Sequence, residues 1–580
     1  MKEEGSNRGS SAFSSSLRYP TLPKNATVWF AVVVTLISGL TLLGAAGQAE
    51  KELLLVVGDV SDHTARVLYE GYHALGQKGE ETMIASLIDE TTASLIVDTV
   101  IQVRTFPAVL KLADLLPEHN YSVSFYSFSS GRENADVFRG QVFFRTFPSH
   151  STAPVLFKVA ALSCNRWYDD RDVELWEKLA LLDNDSDVML HLGDNIYADR
   201  IWKDFISYLS QVPENSAEWE TRRAEATYEY FLPKYRHIYR ETFGQETVQK
   251  VLRRNAHWII TDDHEFVNNF GPDLLKDPVL APMVWAGRTA FLEYQMQLLM
   301  DIEPAVMYFQ ANATANANAH VPTPERQEVQ TYYAKTVGKN LVFIFLDLRY
   351  QRSFEFDVSH PMIGSKQLRW FQEQLAKYGS DDSITDIVVS ASVPLLYFTE
   401  SMAKLTYAVE QETYPTHPNH INDTLLLMEM LLPHAPKVKL LGGDVHQFAL
   451  LWLCHERGPC IPEMVTSGIT RGSSIIEHLK LYLFYLLGLQ LTNDQVGNWH
   501  VMREQQVGFR NYGVLYFQQR SDADSSTSWR WEGRFPDNIP TKHLLLQWIF
   551  DHFLILLSVL VGALIALCIF CCGHFSQKRP

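Results

Sequence analysis

Hydrophobic and polar positions along the chain fall into two regimes. Between Leu53 and about residue 147, short segments that alternate or run apolar are separated by polar breaks. Leu53–Val57, Thr64–Tyr69, Ser122–Ser127 and Gln141–Thr146 read as strands, so this stretch is expected to form an accessory β-sandwich. From Val155 the pattern changes. Leu156–Leu162, Val188–Leu192, Leu252–Thr261, Leu341–Leu346, Ile387–Val393 and Val438–Leu441 are short apolar strands. Val173–Leu182, Val284–Met300 and Lys366–Tyr378 carry apolar residues at helical spacing. That alternation predicts an α/β layered domain reaching about residue 535. Ala311–Ala319, rich in Asn and Ala, reads as an exposed loop.

Two longer apolar runs flank these regions. Val28–Ala46 lacks charge and follows a Ser-rich polar head, residues 1–27; Phe553–Cys572 is uncharged throughout. At 1.5 Å of helical rise per residue, twenty residues cross a hydrocarbon core roughly 30 Å thick. Phe553–Cys572 is therefore expected to span a membrane. Residues 28–47 are expected to be an anchor or a cleaved signal. Lys578 and Arg579 follow the second run, while Glu50 and Glu52 follow the first. The charge rule then puts both termini, the head 1–27 and the tail 573–580, in the cytosol and residues 50–540 outside it or in a lumen. Asn120, Asn184, Asn312 and Asn422 would there be glycosylation acceptors; Asn25 matches too, but on the cytosolic side. Leu479–Leu491 is too short to span and reads as a core helix or an interfacial segment.

Composition narrows the function. The formal net charge of −17, from 67 acidic and 50 basic residues, leaves no cationic excess for a nucleic-acid backbone. Of six cysteines, Cys568, Cys571 and Cys572 sit at the cytosolic end of the second run, where acylation is an option. Cys454 and Cys460 are spaced to close a small disulfide loop in an oxidising compartment. Cys164 is left over, and a lone extracytoplasmic cysteine needs a role.

The residues with chemistry in them follow the strands directly. Ser163-Cys164-Asn165, Gly193-Asp194-Asn195-Ile196-Tyr197-Ala198-Asp199, Thr261-Asp262-Asp263-His264-Glu265 with Asn268-Asn269, Asp347-Leu348-Arg349-Tyr350-Gln351-Arg352 and Gly443-Asp444-Val445-His446 each begin at a predicted strand end. Ligands gather at carboxyl ends of strands in α/β sheets. Asp262, Asp263 and Glu265 within four positions would repel one another if buried unpaired, so either water or a multivalent cation must offset them. Thiolate, phenolate and imidazole suit a transition ion, while guanidinium groups suit an anion.

Taken together, these motifs and Ile363-Gly364-Ser365-Lys366-Gln367-Leu368-Arg369-Trp370-Phe371 resemble the PhoD-like alkaline phosphatases of the metallophosphatase class, over roughly residues 53–520. The resemblance implies a layered metallophosphatase-type β-sandwich flanked by helices (155–535), behind a fibronectin-like all-β domain (51–150). The Leu115–Tyr121 segment is similar to the last crossover of such a domain. It further implies an Fe³⁺ ion bridged with Ca²⁺. Cys164, Asp194 and Tyr197 would hold the iron, with Asp194 bridging. Asp262, Asp263 and Asn268 or Asn269 would serve the second ion or the phosphate, and Asp444 with His446 would close the shell. Arg349, and more weakly Arg352, would clamp phosphate; His264 would protonate the leaving alkoxide or orient a ligand. The expected reaction is hydrolysis of a phosphate mono- or diester by a metal-bound hydroxide attacking in line, without a covalent enzyme intermediate. The rivals are a non-catalytic surface protein and a lipid-handling membrane protein that keep the same fold.

Overall fold

Seven strands in two antiparallel sheets open the described part of the chain. They are β1 (Leu54–Val60), β2 (Ala65–Glu70), β3 (Glu81–Asp89), β4 (Ser94–Val103), β5 (Ala108–Leu112), β6 (Asn120–Phe128) and β7 (Ala135–Arg145). One sheet has the order β1-β2-β5 and the other β4-β3-β6-β7. At the crossover into β6, the Leu116 N–H donates to Tyr121 Oη at 2.8 Å, the tie that fixes a corner of this kind. The structure is a computed structural model. It describes residues 53–537 apart from 72–80, 105, 129–134, 212–216, 278, 310–328, 354–357, 411, 473–494 and 522–523, with a few isolated positions beyond.

Downstream come β8 (Leu156–Leu162), β9 (Val188–Leu192), β10 (Ala256–Ile260), β11 (Tyr333–Val337), β12 (Leu341–Phe345), β13 (Asp386–Ser390) and β14 (Val438–Gly442). They are followed by β15 (Phe448–His455), β16 (Cys460–Thr466), β17 (Gln495–Val496), β18 (Trp499–Val507), β19 (Tyr512–Ser521) and β20 (Asp524–Arg534). These strands build two mixed sheets, β10-β9-β8-β19-β20 and β11-β12-β13-β14-β16-β15-β18-β17. In the first, β8, β9 and β10 run parallel. In the second, β12, β13, β14 and β16 do.

The period of two sorts side chains between two cores. Leu341, Phe343 and Phe345 of β12 join the core shared with β8, β9 and β10. Val342 and Ile344 face the other way, with Ile387 and Val389, onto helices Ser365–Gly379 and Ile421–Leu431. A strand buried on both faces must be apolar at every position, which is why these strands read as runs rather than alternations.

Some boundaries differ from the pattern. The strand expected at Leu252 begins at Ala256, because Leu252 ends the helix Glu246–Leu252 and Asn255 turns with φ +60°. The helix expected through Met300 stops at Tyr294 and tightens into a 3₁₀ turn, Met296–Leu298. The strand expected to Val393 ends at Ser390, where the chain turns toward the site. Helix Ala217–Phe243, which contains Pro233, carries no clean apolar stripe in the sequence.

The first core continues without a break from β1 through β10 into β19. Polar ties cross the same boundary. Trp258 Nε1 donates to Asp59 at 2.9 Å, Gln249 Nε2 to the Leu55 carbonyl at 3.0 Å, and Tyr294 Oη to Glu70 at 2.7 Å. Val28–Ala46, Ala311–Ala319, Leu479–Leu491, Asn25, Asn312, Cys568, Cys571 and Cys572 lie outside the described residues, as does Phe553–Cys572 except Ala563. Among the described residues no helix is long and apolar enough to cross a membrane.

Candidate metal centre

The motif-bearing turns leave the ends of β8, β9, β10, β12 and β14, and tight packing brings them together. A Cβ on Gly193 would stand 2.8 Å from Asp262 Cβ and 3.0 Å from Ser392 Cβ. One on Gly443 would stand 2.6 Å from the Leu192 carbonyl and 2.9 Å from Ser163 Oγ. Only glycine permits the two sheets to approach so closely here. Five of the expected ligands, Cys164, Asp194, Asn269, Asp444 and His446, adopt left-handed φ values between 54° and 64°. Non-glycine residues avoid this region at a cost of about 1 kcal/mol or more each, and such strain gathers at functional sites.

Asp194 is at the centre. Its Oδ2 accepts from Cys164 Sγ at 3.5 Å and from Tyr197 Oη at 3.1 Å, and its Oδ1 from the His264 N–H at 3.4 Å. Tyr197 Oη also meets His446 Nε2 at 3.2 Å. Cys164 Sγ lies 3.1 Å from Ser467 Oγ, which takes the His446 N–H at 2.9 Å. Two ligand-type triads share Asp194: one with Asp262 and Asp444, one with Asp263 and His264, each with ligand atoms within 4.8 Å of one another.

The electrostatics are those of a site with an excess of buried negative charge. Burial, then Cys164, Asp262 and Asp263, push Asp194 well above the carboxylate range. Burial, then Asp262 and Glu412, do the same to Asp444. Asp262 is raised to about 6 by burial against the pull of Arg349, and the Cys164 thiol to about 11 by burial and Asp444. Asp262 Oδ2 and Asp444 Oδ2 are buried without a hydrogen-bond partner among the described residues. Orphaned acceptors, a thiol and a phenol around one carboxylate suit multivalent cations, whose binding would deprotonate them. The donor set fits the implied ions.

The second ring of residues differs in part from the sequence expectation. Glu265 turns away from the cluster: its Oε1 accepts from Asn195 N–H at 2.6 Å and Nδ2 at 2.9 Å, and its Oε2 from Asp262 N–H at 3.0 Å. It braces the β9 turn against the β10 turn. Asp263 accepts the Asn269 N–H, whereas Asn268 is exposed and outside the hydrogen-bonded set, so of that pair only Asn269 meets the cluster. The reason is the left-handed turn at Asn269, φ +60°, which swings Asn268 outward.

His264 stacks on Tyr197 with centroids 4.0 Å apart and pairs through Nδ1 with Asp199 at 2.8 Å. Burial alone would lower it, but Asp263 and Asp199 outweigh burial and raise it to about 9. Arg349 is fully buried on Asp262, 3.7 Å from Asp263 and 3.2 Å from Glu412. Arg352 lies one residue layer further on. It meets Glu412 at 3.1 Å and Thr413 at 3.3 Å rather than the central carboxylates. Glu412 and Ser467 escaped sequence reasoning, and Asp199 was given no role there. Asp199 lies two residues past the Gly-Asp-Asn-Ile-Tyr segment, at the end of the same motif; Glu412 and Ser467 follow no motif.

Paired α/β layers with a buried acidic cluster beside a cysteine and a tyrosine at their strand ends form a candidate metal-binding site. The PhoD-like phosphatase family matches residues 157–525, and the chain belongs to that family: it is a metal-dependent phosphoesterase. The solved structure of PhoD covers 84% of this chain and 91% of its own, with a TM-score of 0.56 at 13% identity, a likeness in fold. An FN3 domain of human collagen XX covers 17% of this chain and 93% of its own at 13% identity, TM-score 0.13. No curated relative matches the sequence.

Proposed function

We propose that the chain hydrolyses phosphate esters at a two-ion centre in which Asp194 is shared. The observation that carries this is the convergence of Cys164, Tyr197, Asp262, Asp263 and Asp444 on the Asp194 carboxylate. Cys164, Tyr197, Asp194 and His446 suit Fe³⁺, and Asp194, Asp262, Asp263, Asp444 and Asn269 suit Ca²⁺, by donor softness. When bound, the ions supply an activated water and neutralise charge on the phosphoryl oxygens.

The chain's own groups do the rest. Arg349, spread over three carboxylates, holds its planar guanidinium toward the anion and sets its orientation. Asp199 fixes His264 Nδ1, leaving Nε2 as the atom from which a proton passes to the departing alkoxide. Burial of Cys164, Asp262 and Arg349 excludes bulk water from the reacting region.

The same reading places this unit on the extracytoplasmic side of a membrane. It rests on the Cys454–Cys460 disulfide, on the exposure of Asn120 and Asn422 within their acceptor tripeptides, and on the two terminal apolar runs. A glycosidase-sensitive mass shift on the expressed protein checks it; an unshifted mass after secretory-pathway expression speaks against it. For the centre, iron and calcium in the purified chain are measured beside Cys164→Ser. Loss of iron from a folded variant is expected, and unchanged iron overturns the ligand assignment. Cleavage is read on a panel of phosphate mono-, di- and phospholipid esters.

A further inference from the structure

A cavity of about 630 Å³ opens at the seam between the N-terminal sandwich and the α/β layers. Strand β7 lines it with Phe138 and Phe143, and helix Glu174–Leu182 with Glu177 and Leu181. Helix Glu246–Leu252 and the turn behind it add Lys250, Arg253 and Arg254. The cavity stands apart from the metal centre. Arg254 precedes β10, whereas Asp262 and Asp263 follow its other end. The five buried residues of that strand put roughly 17 Å between the two ends, at about 3.3 Å per residue. Size and position are those of small-molecule sites, which gather where domains meet.

Two kinds of surface meet there. Phe138 is 56% exposed and Leu181 82%, so apolar side chains stand in water at the rim. Lys250, Arg253 and Arg254 face a single lining carboxylate, Glu177, in a chain whose net charge is −17. Arg253 is fixed on neutral acceptors, through Nε to Gln249 Oε1 at 2.8 Å and through Nη2 to the Leu53 carbonyl at 2.9 Å. Arg254 lies over the Phe143 ring, 4.9 Å from its centroid, and makes no ion pair among the described residues. The backbone holds this arrangement. The Phe143 N–H donates to the Arg253 carbonyl at 2.8 Å, and the Asn255 N–H to the Phe143 carbonyl at 2.9 Å.

We infer that this cavity binds an amphiphilic monoanion, a carboxylate head on a single alkyl chain. The head sits at the arginines and the chain covers Phe138, Phe143 and Leu181. Charge sets the head: Lys250 is answered by Glu246 at 3.0 Å and Glu177 offsets one arginine, which leaves one positive charge. A neutral apolar occupant would take water from the guanidinium groups and return no hydrogen bond. A small inorganic anion would leave Phe138 and Leu181 in water. The inference goes beyond the phosphoesterase reading and holds or falls without it.

Calorimetry on the full-length protein tests it with decanoate, 1-decanol and butyrate. One equivalent of decanoate is expected to bind, at least about tenfold more tightly than the neutral alcohol or the short acid. Arg254→Gln and Phe138→Ser change exposed side chains, so each variant is expected to fold. Each is expected to weaken decanoate about fivefold or more. Failure of decanoate to bind overturns the inference, as do equal affinities for decanoate and 1-decanol, or binding that neither substitution changes. Asn184 also lines the cavity. Decanoate binding that emerges only in Asn184→Gln would give the cavity to a glycan on that residue and likewise overturn the inference.

Discussion

Asp194 and Glu463 are both buried carboxyl groups, and the protein treats them differently. Asp194 stands among Cys164, Asp262, Asp263 and Glu265, all of which raise it further. Without ions that cluster opposes folding; with ions it anchors them. Asp194→Asn is therefore expected to stabilise the chelated protein by about 1–2 kcal/mol and to destabilise the metal-loaded one, with loss of turnover. Melting with and without chelator shows whether the sign reverses. Glu463, by contrast, has one hydrogen bond, from Leu395 N–H at 3.2 Å, and burial raises it from 4.5 to about 7. A folded value above the unfolded one means the group binds its proton more tightly in the fold. Its contribution, about 3 kcal/mol, is complete below about pH 4.5 and is lost as pH rises to 7. Glu463→Gln is expected to remove that fall, so that denaturation midpoints at pH 5 and pH 8 draw closer; an unchanged slope would assign the pH dependence elsewhere.

At the scale of elements, the strand ends matter more than the strands. Gly193 connects β9 to Asp194 with φ +89°, and a side chain there meets Asp262 and Ser392. Gly193→Ala is expected to cost about 2 kcal/mol and at least about tenfold in activity, because both the turn and its neighbour must shift. Urea midpoints and kcat/KM on one preparation separate the two effects. The β15–β16 hairpin carries the Cys454–Cys460 disulfide, whose partners are six positions apart. Replacing both cysteines by serine is expected to cost about 2 kcal/mol without altering metal content. The strand–motif order was legible because each strand is buried on both faces and each motif follows its own strand locally. Helix Ala217–Phe243 was not, since charged positions and Pro233 blur its period.

For the whole molecule, the N-terminal sandwich is part of one core with the α/β layers. Asp59 takes Trp258, and Glu70 takes Arg240 at 2.6 Å and Tyr294 at 2.7 Å, so removing the sandwich strands buried polar groups and a large apolar face. Deleting residues 53–147 is expected to yield insoluble protein rather than an active catalytic fragment, which expression of the truncated chain decides. While β3, β4, β5, β11 and β15 to β20 emerged only in the structure, the sequence by itself determined the strands that carry the motifs, which ligand types follow them and, through their joint order, the family. Those features are local: a run of apolar residues and the turn directly behind it. Only the tertiary structure decided that Glu265 braces rather than binds, that Asn269 rather than Asn268 meets Asp263, and that Glu412 links two arginines. The first and the last depend on contacts across 60 and more residues, the 70 between Asn195 and Glu265 and the 63 between Arg349 and Glu412, where hydrogen-bond geometry and packing choose among side chains that composition leaves equivalent.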